Sequence, residues 1–346
     1  MGEGASERVC AVIQPVAELR ELASRALRSG NVPEAEAAVV VEALLEAELR
    51  GRPTHGLLRL PGIIRRFGGR GPTQASIVAE GGCWLRVDGG DGIGYVVAQR
   101  AVEWAGERAR RHGLCLVGVR RATHCGMLGY YTGQLAADGL VALMMADCGA
   151  MVAPFGATSA VLGTNPVSIA FPHDPFPVLI DMGTSAATFG DVLVALREGR
   201  LLPEGAAYDA SGQPTRDPAQ ARQGALRPFG GHRGSALALA VQLLSGALVG
   251  ADALPTRGVN YGLFLLAIDP GTFGERGAFD AGVSAVVEAV KSARPAAGVE
   301  AVLVPGERAW RERERHLQEG VDVPQELLEE LTSLAHGAAG PGEAGG

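Results

Sequence analysis

The 346-residue sequence has no Cys-x-x-Cys pair, no uninterrupted apolar run of membrane-spanning length, no internal repeat and no excess of positive charge. Each absence removes a class of protein. The cysteines Cys10, Cys83, Cys115, Cys125 and Cys148 are odd in number and widely spaced, so neither a disulfide framework nor a zinc centre is indicated. No metal is expected, and a reducing cytoplasm fits. With Glu3 and Glu7 at the start and no apolar core between basic residues, neither a secretory leader nor a membrane anchor is expected. A formal net charge of -7 and a pI near 5.6 argue against a nucleic-acid or anionic-membrane partner, which would need a concentrated basic face. The arginines fall in small groups such as Arg65-Arg66 and Arg120-Arg121, a pattern of solvated faces.

What is present describes a soluble enzyme-like chain. Hydrophobic residues make up 47% and charged residues 20%, too apolar for disorder. The length allows two to three domains that bury about 75% of the unfolded surface. Helical periodicity covers 15–28, with Gly30 as a C-cap, then 33–49, then 57–67 closing at Gly68-Gly69. Strand patterns follow at 83–88, 114–119, 140–145, 167–171, 177–180, 263–268 and 299–304. Helices are expected up to His112, up to about Asp138, and over 188–197, 234–248 and 282–291. The cluster Gly89-Gly90-Asp91-Gly92-Ile93-Gly94 follows a strand and opens a helix, but its spacing is not Gly-x-Gly-x-x-Gly, so it reads as a turn with a helix cap. Strands in the middle and helices at both ends favour an α+β or mixed α/β fold. The glycine-rich stretch 337–346 has nothing to bury and is expected to be a disordered tail.

Five stretches could carry chemistry. In Arg50-Gly-Arg-Pro-Thr-His-Gly-Leu-Leu-Arg-Leu-Pro61, Pro53 and Thr54 suit a helix start, which would put His55 and Arg59 on one helical face. An imidazole exchanges protons near pH 7 and a guanidinium grips a carboxylate, so the pair suits a small acid. A packed histidine and a surface arginine are the plainer alternative. His124, in Thr123-His124-Cys125-Gly126, is open to the same two readings, and Cys125 reads as a small buried hydrophobe. Gly163-Thr164-Asn165-Pro166 is either a ligand-holding loop or a β-turn. Asp181, in Asp181-Met182-Gly183-Thr184-Ser185, either orients an imidazole or caps a helix. Gly230-Gly231-His232-Arg233-Gly234 is either an anion-binding helix start or a flexible loop.

Taken together and in order, these stretches resemble the type 2 malate/L-lactate dehydrogenase family, the non-Rossmann NAD(P)-dependent reductases, over about residues 15–330. The resemblance implies an antiparallel-rich central sheet at 81–274 as the cofactor-binding domain. It implies a discontinuous helical domain from 1–80 and 275–336, and a homodimer. It also implies roles: His55 as proton donor and acceptor at C2, Arg59 on the substrate carboxylate, and Asp181 as partner of the histidine. Thr54 and His124 would stand near the substrate. Thr123, His124, Gly163, Thr164, Asn165, Asp181, Thr184, Ser185, Gly231, His232 and Arg233 would hold NAD or NADP. The implied activity is hydride transfer between nicotinamide and a 2-oxo or 2-hydroxy acid. The alternatives are reduction of a cyclic imine 2-carboxylate, or a repurposed non-redox member. The family usually reads serine at Thr54, asparagine at Thr123, phenylalanine at Cys125, lysine at Arg233 and glycine at Ala236. Of these departures, cysteine for phenylalanine removes a large apolar wall, so a bulkier or differently shaped substrate is expected.

Overall fold

Both ends of the chain contribute to one helical core. The computed structural model describes residues 11–254 and 258–337, so Cys10 and the tail after Gly337 lie outside the described residues. β1 (Ala11–Gln14) leads into α1 (Val16–Ser29) and α2 (Glu34–Leu49). Helical spacing puts Leu19, Ala23, Ala26 and Leu27 on one buried face of α1. The second helix is enclosed more completely, and it carries even Glu36 and Glu48 inside. Between them the left-handed residue is Asn31 (φ 56°) and not Gly30. Gly30 is required for its size, because a Cβ there would meet Ile64 Cγ2 at 2.6 Å. The helix expected over 57–67 is divided. A 3₁₀ turn at Pro53–His55 and another at Leu57–Arg59 precede α3 (Leu60–Phe67).

The middle of the chain supplies the sheet. β2 (Ser76–Gly81), β3 (Trp84–Asp88), α4 (Gly94–His112), β4 (Leu114–Ala122), α5 (Leu128–Ala137) and β5 (Val141–Ala146) come first. β6 (Val167–Phe171) and β7 (Val178–Met182) extend one edge, followed by α6 (Phe189–Arg197). A small sheet forms from β8 (Ala207–Tyr208), β9 (Pro214–Thr215) and β10 (Ala225–Leu226), with α7 (Pro218–Gln223) between the last two. α8 (His232–Val241) continues as a π-helical segment, Gln242–Leu248, before β11 (Tyr261–Ile268). α9 (Arg276–Lys291), α10 (Glu307–Glu319), β12 (Val321–Pro324) and α11 (Gln325–Ala335) complete the described chain.

The central sheet runs β2-β3-β4-β11-β5-β6-β7. β3 and β4, linked by α4, are parallel, and every other neighbouring pair is antiparallel. β11 returns late to insert between β4 and β5, burying Leu263, Leu265 and Ala267 on alternate positions. The fold is therefore α+β with an antiparallel-rich sheet, not a doubly wound parallel one. Against it stands the helical core of α1, α2, α3 and α11, with Val321 and Val323 of β12, into which Ile93, Tyr95 and Val96 at the head of α4 are inserted.

One expected strand does not form. Of residues 299–304 only Val304 is buried, packing with Phe176 and Val287. A short apolar run becomes a strand only when a sheet edge takes up its backbone. Here the link to β7 is the Leu179 N–H donated to Pro305 O at 3.0 Å, and the chain then turns at Gly306 (φ 93°) into α10. Among the described residues no helix is long and apolar enough to cross a membrane.

Candidate active site

A buried carboxylate shapes the turn that carries His55 and Arg59. Glu48, near the end of α2, accepts the Leu57 N–H at 2.7 Å. It fills the space beneath Gly56, where a Cβ would stand 2.8 Å from its Cγ. The backbone therefore kinks at Gly56, and His55 and Arg59 belong to two successive 3₁₀ turns instead of one helical face. They nonetheless line a single cavity of about 300 Å³. Burial pushes the Glu48 carboxyl up to about 7, with the Leu57 amide pulling the other way.

The His55 imidazole is held down at about 4, first by burial and then by the nearby Arg59 and Arg52 charges, while Asp191 opposes them. Its Nδ1 lies 3.2 Å from Thr54 Oγ1. Arg59 donates Nε–H to Thr54 O at 2.7 Å, and its guanidinium makes no other hydrogen bond among the described residues. The free side of that fork is what a carboxylate would engage.

The glycine cluster before α4 sets the position of His124. Thr123 Oγ1 donates to Gly92 O at 2.8 Å and accepts the Gly94 N–H at 2.9 Å. Gly94 has no room for a Cβ, because the Thr123 and His124 backbone passes over it. His124 stacks on His55, with ring centroids 6.1 Å apart and planes 16° off parallel, and Tyr95 meets it edge-on at 6.0 Å. Gly126 N–H donates to His124 Nδ1 at 3.3 Å, which assigns the proton of the neutral ring to Nε2. His124 is exposed to solvent, while His55 and Tyr95 pack against its ring and protein crowds around it. That enclosure, then Arg59 and His55, push it well below its ordinary value.

Asp181 closes β7, and its Oδ2 accepts the Gly129 N–H at 3.0 Å. Burial raises this carboxyl, against the Gly129 amide and the Arg52 and Arg50 charges. It lines the cavity with His55, yet its partner here is the Gly129 amide and not the imidazole.

Backbone bonds lock the remaining motifs together. Thr184 gives both its N–H and its hydroxyl to Thr164 O, at 2.8 and 2.9 Å. Phe229 N–H donates to Thr184 O at 3.1 Å and Ala186 N–H to Arg227 O at 2.7 Å, which splices the Asp181 motif to the segment leading into Gly230. Asn165 (φ 35°) is buried, with Nδ2 donating to Ala238 O and Gln242 Oε1, each at 2.9 Å. Gln242 in turn donates to Asp147 Oδ2 at 3.2 Å, and Asp147 Oδ1 accepts the Gly262 N–H at 2.6 Å. Among the described residues, Asn165 Oδ1 and Ser185 Oγ are buried without a hydrogen-bond partner, as are the Tyr95 hydroxyl and Ser245 Oγ.

Of the residues singled out in the sequence, His55, Arg59, Thr123, His124, Thr164 and Asp181 border the cavity. Thr54, Gly163, Asn165, Thr184 and Ser185 do not border it, Thr54 lining a neighbouring cavity instead, and Gly231, His232 and Arg233 stand outside it at the solvent-facing start of α8. Cys125 borders it too, its thiol pushed up to about 12 by burial, so it acts as wall and not as nucleophile. Sequence reasoning passed over Glu48, Arg52 and Asp147. The available signal was a charged residue inside or directly after an apolar run.

A family model described as malate/L-lactate dehydrogenase matches residues 15–332. The chain belongs to the malate/L-lactate dehydrogenase family. Its relatives include L-sulfolactate dehydrogenase of Methanothermobacter thermautotrophicus, 35% identical over 93% of this chain and 96% of the relative. The Delta(1)-pyrroline-2-carboxylate/Delta(1)-piperideine-2-carboxylate reductase of Pseudomonas putida is likewise 35% identical, over 92% of this chain and 96% of the relative. Among solved structures, a dehydrogenase from Sinorhizobium meliloti superposes with a TM-score of 0.88 at 34% identity, covering 94% of this chain and 99% of that one. As a member of the malate/L-lactate dehydrogenase family the chain is an oxidoreductase, and that family implies a nicotinamide cofactor.

Proposed function

We propose that this oxidoreductase moves a hydride between NAD or NADP and C2 of a 2-oxo or 2-hydroxy carboxylic acid. The observation that carries the reading is the convergence of His55, Arg59, His124 and Asp181 on one cavity. Arg59 would fix the substrate carboxylate through its free fork, setting C2 beside His55, which is an orientation effect. The nicotinamide supplies the hydride chemistry when bound. In the free protein the His55 imidazole is neutral at neutral pH and ready to act as a base on a 2-hydroxy acid. Burial first, and then the Arg59 and Arg52 charges, hold His55 down; in the reducing direction a carboxylate on Arg59 offsets the Arg59 part, so the substrate itself raises the affinity of His55 for the proton it donates to C2–O. Such a general acid contributes about 10²- to 10⁴-fold. Asp181 would support the charged ring from across the cavity.

The residues present fit a dinucleotide. His124 offers an Nε2–H donor and Thr164 a hydroxyl at the cavity, and Ser185 and Asn165 carry buried acceptors without partners. Gly230 and Gly231 have positive φ (55° and 63°) ahead of α8, whose start carries no side-chain cap, with Arg233 beside them, an arrangement a pyrophosphate would use. The single donor of Thr123 is committed to Gly92, so its part is to place His124. A cyclic imine 2-carboxylate is the second reading, supported by the Pseudomonas putida relative. There His55 need only manage a proton near the ring nitrogen. The homodimer belongs to this proposal as well, supported by Leu239, Leu243 and Leu248, each half exposed or more along α8 and its π-helical continuation. So does a cytoplasmic location, supported by the free thiols of Cys83, Cys115, Cys125 and Cys148 among the described residues. So does the division into 1–80 with 275–336 against 81–274. The test is steady-state oxidation of NADH and NADPH with pyruvate-like 2-oxo acids and with cyclic imines. The preferred reading expects turnover of 2-oxo acids, and activity on neither class contradicts both.

A further inference from the structure

A cavity of about 330 Å³ lies between α2, α5, β7 and α10, and it shares no lining residue with the cavity of His55 and Arg59. Its walls are of two kinds. Tyr130, Phe176 and Trp310 supply aromatic surface, with the Phe176 and Trp310 rings stacked at 5.8 Å and 28°. Glu46, Arg50 and Arg313 supply charge. Glu46 accepts Nε–H from Arg50 at 2.8 Å and from Arg313 at 3.0 Å, so one carboxylate serves two guanidinium groups. Arg313 has a further acid in Glu314 at 3.2 Å and lies over the Trp310 ring. Arg50 has no such further partner. Its Nη1 and Nη2 make no hydrogen bond among the described residues, although its side chain is only 17% exposed.

The helix facing that fork leaves room for a ligand. α5 passes it with Gly133, where a Cβ would stand 3.7 Å from Arg50 Nη2 and 3.9 Å from Nη1, so a longer side chain at this position would run into the fork. A guanidinium with free donors grips a carboxylate through two parallel hydrogen bonds, and aromatic walls favour a flat apolar body. The volume is at the lower end of the range for ligand pockets, which begins near about 300 Å³, and suits one ring with a short acid arm.

Shared elements join this cavity to the active one. Leu179 of β7 borders the first, and Asp181, two residues on and so on the same face of the strand, borders the second. In α5, Gly129 donates its N–H to Asp181, and Gly133 one turn later lies against Arg50. Burial raises the Asp181 carboxyl, and the Arg50 charge is among those that oppose it. An anion seated on Arg50 would cancel that opposition, leaving Asp181 less ionised and less able to support a charged His55.

We propose that this cavity is an inhibitory effector site for a small aromatic monocarboxylate, held by the Arg50 fork and by the rings of Tyr130, Phe176 and Trp310. The site is independent of the hydride-transfer reading above, and its inhibitory sign rests on that reading.

The experiment titrates phenylacetate calorimetrically into the full chain loaded with reduced cofactor and oxamate, which occupy the cavity of His55, with phenylacetamide as the uncharged isostere. Phenylacetate is expected to bind with a Kd below about 1 mM, and phenylacetamide at least about tenfold more weakly. Gly133→Leu, which fills the space before the fork, and Arg50→Lys, which keeps a charge for Glu46 without the fork, are each expected to weaken binding by at least about tenfold. Urea unfolding checks that both variants are folded. At saturating reduced cofactor and 2-oxo acid, phenylacetate is expected to lower kcat and leave the substrate KM unchanged. No binding up to about 10 mM, equal binding of the amide, or binding untouched by both substitutions overturns the site. Binding seen only without oxamate and cofactor overturns it as well, by placing the ligand on Arg59. Binding with an unchanged kcat, or inhibition competitive with the 2-oxo acid, overturns the inhibitory role. No turnover of any 2-oxo acid overturns the hydride-transfer reading and with it the inhibitory sign, while the titration still decides the site.

Discussion

Gly56→Ala perturbs the site at the point where fold and chemistry meet. The new Cβ would overlap the Glu48 carboxylate, with Glu48 Cγ 2.8 Å away. Glu48 is only 5% exposed and sits within a helix buried on nearly every side, so it has nowhere to move without repacking. Overpacking of this kind costs about 1–3 kcal/mol. Displacing the carboxylate also breaks its bond with the Leu57 N–H and leaves a buried donor unpaired, at about 1–3 kcal/mol more. The expected loss is therefore about 2–6 kcal/mol, read from urea midpoints. His55 and Arg59 flank the same bond, so the substitution should also shift them. A displacement near 1 Å is worth about 10²-fold in kcat/KM. Glu48→Ala in the same chain opens room for the methyl, so the double variant should lose less than the sum of the two single changes, with a coupling of about 0.5–3 kcal/mol. Gly56→Ala within about 0.5 kcal/mol of wild type, or strictly additive effects, would refute this account of the turn.

Other predictions follow from the charges around His55 and from the glycine cluster. Because the free imidazole sits near 4 and a bound carboxylate raises it, oxamate binding to the NADH-loaded protein at about pH 6.5 should take up protons. Calorimetry in buffers of different ionisation enthalpy reads this uptake, and zero uptake contradicts the proposed coupling. The same depression means that the unfolded chain, with its histidine near 6.5, binds a proton that the folded chain refuses. His55 should therefore subtract stability progressively as pH falls from about 6.5 to about 4, and His55→Gln should flatten the fall in urea midpoint over that range. Thr123→Val removes the hydroxyl that joins Gly92 O to Gly94 N–H, with an expected loss of about 1–3 kcal/mol and a larger fall in kcat/KM than in cofactor affinity. An equal fall in both would mean that Thr123 contacts the cofactor.

The motifs were legible in the sequence because their residue types and order are local, and so were most helices and central strands, whose apolar period is local too. What escaped depends on contacts distant along the chain. Nothing near His55 announces that Glu48 fills the space under Gly56, so the expected single helical face was split into two turns. β1 and β12 are four residues each and pair across nearly the whole sequence, a match no local pattern specifies. Residues 299–304 looked like a strand because short apolar runs carry no information about whether a sheet edge will receive them. Asn165 was expected to hold cofactor only from its place in the motif order. Nothing in its loop announced that its Nδ2 also ties the β6 side of the sheet to α8 and, through Gln242 at the start of the π-helical segment, to the buried Asp147. That segment was expected as ordinary α-helix, and Gln242 in an apolar stretch was its one visible mark.

The central claim is that His55 exchanges the proton while other residues hold the cofactor. Measuring turnover and NAD(P)H affinity together in His55→Ala tests it most directly. The account predicts turnover reduced by at least about 10²-fold, with the dissociation constant for the preferred reduced cofactor within about threefold of wild type, about 0.7 kcal/mol. Retained turnover, or cofactor affinity lost in step with activity, would contradict it.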